Sequence, residues 1–470
     1  MPWNSINIRN NGDIRICCNA NSYTENKGIV RMDDGTPYNI GKHEITDARN
    51  AELLKEVRLK MLNDEWHPEC ERCRQEEING IKSRREHEVL EWGEYSGDFD
   101  IEAAQAVTDE DGSIDTNAQP LEFFDIRYGN FCNLKCRMCG PTESHTWFND
   151  YVKLHGRNQF NDTHGTVVLE KNKKGRWETD SYNWFKQSNW FWNQFEKHTT
   201  NTKRMYIVGG EPLIIDEHLE LLERLVANGN SHNIEIEYNS NLTNVTKNIV
   251  NAWEKFKQIR IGASIDGLGD VFNYQRAPAN WNKVYQNMLT LENNPNINLK
   301  GWFTYTVTPL NLFHLPEFMQ WKLEHSGLSK FNPITTAKPI VTYHMCHAPK
   351  HYNVKILPYE YKQQVCDTFD EYKKWIVTTE HADKVKNNFV DILNKVERFM
   401  NSEDYSEHLP TFIDTTLRLD EIRKQNILNI KSSIETNSLD SHLTRIRKKM
   451  NKINTSVKIQ SKSEKLLICT

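Results

Sequence analysis

The sequence predicts an α/β protein: a partial (β/α)6, TIM-like barrel with a small N-terminal cysteine-rich α+β module and a helical C-terminal extension. Three observations predict it. From residue 120 onward, apolar runs of strand period alternate with runs of helical period. About six such β-α units, joined by right-handed crossovers, suit a curved and partly closed parallel barrel. The unusual sequence falls where those strands end. These are the Cys132–Cys139 loop, Gly209-Gly210-Glu211-Pro212, Asn239-Ser240-Asn241 and Ser264-Ile265-Asp266-Gly267.

Residues 1–95 read as a module of their own. Ser5 to Arg9 alternates like a short strand, Asn10-Asn11-Gly12-Asp13 is a turn, and Ile14 to Cys17 returns as a hairpin. Asp47 is placed to cap a helix through Asn63, with Leu54, Val57 and Met61 on its inner face. Residues 96–119 are acidic and Gly/Ser/Asp-rich, which reads as a linker. The barrel takes residues 120–357. Phe124, Ile126 and Tyr128 mark its first strand, and Thr142 to His155 its first helix. A Trp-rich insertion follows at 156–200. Arg204 to Val208 is the second strand, and Asp216 caps a helix faced by Leu219, Leu222 and Val226. Ile234 to Tyr238, Ile259 to Ile265 and Ile297 to Val307 are the next three strands, with a helix near 281–292 between the last two. A sixth strand is expected near 334–343. Residues 358–470 are charged and helical, with apolar spacing over Leu417 to Lys431 and Leu439 to Met450. The last twenty residues are Lys/Ser-rich and read as disordered.

Composition narrows the function. The 64 acids and 59 bases leave a net charge of −5, which argues against a strongly basic nucleic-acid binder. No apolar run has the length of a membrane span, and the N-terminus lacks a signal-peptide core. The chain is therefore expected to be cytoplasmic, where structural disulfides are rare and grouped cysteines indicate metal or redox chemistry. Seven of the ten cysteines are grouped: Cys17 with Cys18, Cys70 with Cys73, and Cys132, Cys136 and Cys139. Cys346, Cys366 and Cys469 stand apart.

Cys132, Cys136 and Cys139 can reach three corners of one iron–sulfur cube. A [4Fe–4S] cluster normally takes four cysteines, so three leave one iron open to a cofactor or substrate. A zinc site is the competing reading of three cysteines alone. The run Cys132-Asn133-Leu134-Lys135-Cys136-Arg137-Met138-Cys139 resembles the C-x-x-x-C-x-x-C signature of the radical S-adenosylmethionine (radical SAM) superfamily. Met138 departs from the aromatic residue usual before the third cysteine. Gly209-Gly210-Glu211-Pro212 resembles that family's GGEP motif, which contacts the methionyl amino group of SAM. The resemblance spans about residues 120–345. It implies that Asn239 and Asn241 meet the cofactor and that Ser264 and Asp266 approach its ribose or carboxylate. Arg276 would pair with the SAM carboxylate. It also implies an enzyme whose cluster binds SAM through the unique iron and cleaves it reductively. The 5′-deoxyadenosyl radical would then abstract hydrogen from a substrate, with flavodoxin or ferredoxin as electron donor.

The N-terminal cysteines resemble the twitch or SPASM-like module of such enzymes, here placed before the barrel as in the twitch domain-containing radical SAM protein group. The resemblance implies an auxiliary iron–sulfur cluster on Cys17, Cys18, Cys70 and Cys73. Structural zinc at the same four positions is the alternative. Adjacent residues on a strand face opposite ways, so Cys17 and Cys18 can both bind only if the hairpin ends there. Relatives of this kind often act on peptides or proteins, which makes a peptide the first expectation for substrate. A nucleotide or small molecule is the alternative within the enzyme class, and a non-catalytic zinc-stabilised binding protein outside it. Cys346 reads foremost as a buried thiol, Trp177, Trp184, Trp190 and Trp192 as packing, and Arg445 to Lys449 as a solvated helix face.

Overall fold

The structure is a computed structural model and describes residues 2–20, 24–78, 83–96, 100–186, 189–331, 339–427 and 430. They form two compact units. The first comprises 1–135, 139–264 and 287–302, and the second 136–138, 265–286 and the chain from 303 onward.

In the first unit β1 (Ser5–Ile8) and β2 (Ile14–Arg15) make the hairpin expected from the sequence, with Ile8 opposite Ile14. β1 also pairs in parallel with β3 (Phe123–Arg127), setting Ile8 beside Ile126. The N-terminal residues therefore share a sheet with the first strand of the β-α repeat. Residues 156–200 hold two small hairpins, β4 (Gln159–Asp162) with β5 (Gly165–Val168) and β6 (Glu170–Lys171) with β7 (Trp177–Glu178). Trp184 and Trp192 are buried there, in keeping with a packing role. β8 (Arg204–Val208), β9 (Glu235–Ser240) and β10 (Gln258–Ser264) continue the parallel register, in the order β10-β9-β8-β3-β1-β2. In the second unit the C-terminal part of β11 (Leu299–Val307) pairs in parallel with β12 (Thr342–Met345).

Side chains alternate across a strand, so the register sorts them by face. Phe124, Ile126, Met205, Ile207, Ile236, Tyr238, Ile259 and Ile261 share one face and are fully buried. Burying each contributes about 1.5–3 kcal/mol. The opposite face carries Asp125, Tyr206, Glu237 and Arg260 in one aligned row.

Several expectations need correction. The helix from Asp47 to Asn63 is two helices, Ile45–Arg49 and Glu52–Leu62. Between them the Asn50 side chain donates to Ile114 O (2.9 Å) and accepts from Ile114 N (3.1 Å), bonding outside the helix. Residues 96–119 are no bare linker. Asp100 caps a helix over Ile101–Ala106, and Ala104 and Ile114 are buried against Trp3. The helix at Asp216–Ala227 buries His218, Leu221, Leu222 and Leu225, so Leu219 and Val226 stand at the margin of its inner face. The sixth strand lies at Thr342–Met345; residues 332–338 are outside the described residues. The helix expected over Leu417 to Lys431 is Leu409–Arg423. It ends where Lys424 turns left-handed (φ 55°) and Asp420 accepts from Ile427 N at 2.9 Å. The helix expected over Leu439 to Met450, the Arg445–Lys449 cluster, the Lys/Ser-rich tail and Cys469 lie outside the described residues.

Buried arginines fasten the 96–119 segment. Arg49 donates to Trp3 O (2.5 Å) and Gln119 O (2.6 Å), and Arg58 to Gly112 O (3.0 Å) and Pro2 O (3.1 Å). Replacing Arg58 with Met strands these carbonyls in a dry interior. Urea unfolding should then show a loss of about 3 kcal/mol; a loss under about 0.5 kcal/mol would show that the segment is not held this way.

Candidate cofactor site and cysteine cavity

The strand ends of the first unit are knitted together around two glycines. β8 runs into Gly209 and Gly210, both left-handed at φ 87° and 54°. A Cβ on Gly210 would lie 2.1 Å from Phe131 O, so only glycine lets the two chains approach. Glu211 N donates to that same Phe131 O at 2.7 Å. The Glu211 carboxylate is buried and fully engaged. It accepts from Leu213 N (3.2 Å), Ser240 Oγ (2.8 Å) and Asn241 N (2.6 Å). Pro212 opens the short turn that follows. Asn241 Nδ2 donates to Asn133 Oδ1 at 3.1 Å and lies 3.9 Å from Cys132 Sγ. Asn239 is exposed and donates to the Tyr206 hydroxyl at 2.6 Å. The Cys132 loop, the Gly-Gly-Glu-Pro turn and the end of β9 thus meet at one place.

Cys132 and Cys139 belong to the first unit and Cys136 to the second. Cys132 is buried; its N–H donates to His145 Nδ1 (3.1 Å) and its sulfur accepts from Leu134 N (3.4 Å). Cys139 is half-buried. In the second unit, Arg276 Nη1 lies 3.8 Å from Cys136 Sγ, and Arg276 Nε pairs with Asp266 Oδ2 at 2.6 Å. The other Asp266 oxygen accepts from Thr306 N at 2.7 Å. Ser264 is the last residue of β10. Arg137 is fully buried and pairs with Asp420, and its guanidinium lies 3.8 Å over the Tyr274 ring. Sequence reasoning missed this anchor because nothing local to Arg137 points to a residue almost three hundred positions away. Met138 packs on the apolar cluster of Cys346, Tyr352, Ile356 and Phe412, which explains an apolar residue there. Cys346 is a member of that cluster, with its thiol pushed up to about 11 by burial.

The four N-terminal cysteines are brought together. β2 ends at Arg15, so Cys17 and Cys18 lie in the turn beyond it and strand alternation no longer separates them. Cys70 closes a short turn capped by His67, and Cys73 sits one turn on, in the helix Glu71–Ile78. All four line one cavity of about 350 Å3, whose wall includes Asp125, Arg84 and Arg85. The Cys70 thiol is pushed up to about 11 by burial, then by Cys73 and Glu69. Burial, with Asp125 nearby, raises Cys18 as well.

All the described cysteines are free thiols. Among the described residues no three His, Cys, Asp or Glu side chains form a ready-made metal site. What fits an iron–sulfur centre is the donor set: free thiols with N–H groups aimed at sulfur, and a cavity lined by four of them. No described helix is long and apolar enough to cross a membrane.

The sequence matches no family profile and no curated protein. Among solved structures, the chain is similar to Streptococcus suis SuiB bound to S-adenosylmethionine, at 15% identity and a TM-score of 0.30, covering 55% of this chain and 45% of that one. It is also similar to anSMEcpe with bound AdoMet and Cp18Cys peptide, at 16% identity and a TM-score of 0.31, covering 54% and 60%. SuiB bound to the precursor peptide SuiA gives 14% identity and a TM-score of 0.29, covering 59% and 55%. The chain spans about half the length of these structures. Likenesses this slight assign no function to it.

Two outcomes follow from the geometry. Gly210→Ala should drive Cβ into Phe131 O and cost about 3 kcal/mol or more in urea unfolding, whereas Gly175→Ala, with open space around it, should cost about 1 kcal/mol. Thiols raised by burial must lose protons to bind metal, so cobalt(II) affinity at the cysteine cavity should rise as pH rises. Thiolate-to-cobalt absorbance should show a gain of more than about tenfold between pH 6.5 and 7.5; a pH-independent affinity would mean the thiols are not the ligands.

Proposed function

We propose that the chain is a radical SAM iron–sulfur enzyme built on a partial (β/α)6 barrel, with its SAM cluster on Cys132, Cys136 and Cys139. One observation supports this most. The cysteine loop, the Gly-Gly-Glu-Pro turn and the end of β9 are tied to each other through Glu211 and Asn241, at the C-terminal ends of adjacent parallel strands. That is where α/β sheets bind their ligands. A cluster held there by Cys132, Cys136 and Cys139 would, with SAM, supply a 5′-deoxyadenosyl radical for hydrogen abstraction. The residues of this chain do the holding. Gly209 and Gly210 keep the turn open to the cofactor's methionyl group, Glu211 and Pro212 fix its shape, and Asn241 orients Cys132. Asn239 would meet the cofactor from the end of β9. Ser264 and Asp266 would approach the ribose or carboxylate, and Arg276, held by Asp266, would carry the positive charge for that carboxylate. Buried N–H groups directed at sulfur stabilise thiolate ligands.

Cys17, Cys18, Cys70 and Cys73 hold an auxiliary iron–sulfur cluster in a twitch-like, N-terminal setting. Support comes from the cavity the four share. A peptide or protein is the proposed substrate, a flavodoxin or ferredoxin the electron donor, and the cytoplasm the compartment.

Anaerobic reconstitution followed by dithionite and SAM tests the reading. The chain should hold about eight irons, as two [4Fe–4S] clusters require, and form 5′-deoxyadenosine. Cys132→Ala should abolish that product. Cys70→Ala with Cys73→Ala should leave about four irons and retain SAM cleavage. A colourless, zinc-loaded protein that makes no 5′-deoxyadenosine would overturn it.

A further inference from the structure

Among the described residues the buried arginines have partners. Arg15, Arg49 and Arg58 donate to backbone carbonyls, and Arg204 and Arg260 pair with Glu237. Arg9 and Arg127 do not follow this pattern. Arg127 is the last residue of β3, and Arg9 follows the last residue of β1. The parallel register sets Ile8 beside Ile126, so the next residues, Arg9 and Arg127, are neighbours across the strand ends. Both are half-buried. Among the described residues neither side chain makes a hydrogen bond or an ion pair, and Arg127 Nε is buried with no partner. Asp125, on the same face of β3, gives one oxygen to Asn7 and keeps the other unpartnered. It does not reach ion-pair distance of either guanidinium. Arg9 is held down to about 10 by burial first, then by Arg127 and Arg15, with Asp125 and Asp162 opposing that shift from beyond ion-pair distance.

Two adjacent, half-buried guanidinium groups repel one another, and Asp125 offsets this only from a distance, without bridging them. Rules broken this way in native proteins concentrate at functional sites. The position is right for one. It lies past the C-terminal ends of parallel strands, and a Cβ on Gly209 would stand 3.0 Å from Arg127 Cβ. The planar fork of arginine matches a carboxylate in geometry and charge. We propose that Arg9 and Arg127 form a carboxylate subsite that takes an acidic residue of the substrate; that the substrate is a peptide rests on the function proposed above.

Fluorescence anisotropy with the full chain at low salt tests this. The probes are labelled Gly/Ser octapeptides carrying two Glu, two Gln or two phosphoserine residues. The wild type should bind the Glu peptide at least tenfold more tightly than the Gln peptide. In Arg9→Gln/Arg127→Gln that ratio should fall to about one, with SAM binding by equilibrium dialysis unchanged within about twofold. The melting temperature of the double variant should not fall, because its removal relieves repulsion. Equal binding of Glu and Gln peptides by the wild type would overturn the proposal, as would a preference that survives the double substitution. Tighter binding of the phosphoserine peptide would make it a phosphate site. Parallel loss of SAM binding would assign the pair to the cofactor's own carboxylate, and a variant that does not fold would make the pair structural. 5′-Deoxyadenosine formation is read separately. Charge preference without SAM cleavage defeats the enzyme reading alone, and cleavage without charge preference defeats the subsite alone.

Discussion

Glu211 is the residue on which the first unit's strand ends depend. A buried carboxylate is unfavourable unless its oxygens are satisfied. Here they accept from its own turn and from the end of the next strand. Its N–H meanwhile binds Phe131 O, the residue before the first cysteine of the loop. Three consecutive strand ends of the sheet, β3, β8 and β9, are thereby held by one side chain and one backbone contact. Gly210 makes that contact possible, since any side chain there would displace Phe131. Asn241 extends the tie to the Cys132 sulfur.

The strands of this region were legible because their alternation is strict. Phe124, Ile126 and Tyr128 are fully buried, as are Ile234, Ile236 and Tyr238. The glycine turn was legible too, but the immediate work of Glu211 was not. By resemblance its motif belongs to the cofactor, and the hydrogen bonds show it first building the turn. Other misses share a cause. Asn50 breaks a helix by bonding to Ile114, and Arg58 anchors the segment around Gly112, so a stretch of linker composition is held in place. Arg137 finds Asp420 far along the chain. Partners distant in sequence leave no periodic trace in the local pattern.

For Cys17 and Cys18 the sequence posed a condition rather than an answer. Both could serve one centre only if the hairpin stopped before them, and β2 stops at Arg15. The four N-terminal cysteines then line one cavity, with Asp125 of β3 in its wall. Two residues further along that strand stands Arg127, and past it the Cys132 loop. The polar face of one strand therefore runs from the cysteine cavity through the arginine pair toward the candidate cofactor site. Its apolar face is core. A single strand register thus divides stability from chemistry.

The most direct measurement is the electron paramagnetic resonance spectrum of the reconstituted, dithionite-reduced chain with and without SAM. The Cys70→Ala/Cys73→Ala variant removes any auxiliary signal. A [4Fe–4S]+ signal whose g-values shift when SAM is added, and which disappears in Cys132→Ala, is the result predicted for a cluster with an open iron. A reduced cluster whose spectrum is indifferent to SAM, or no iron–sulfur signal at all, would contradict the account.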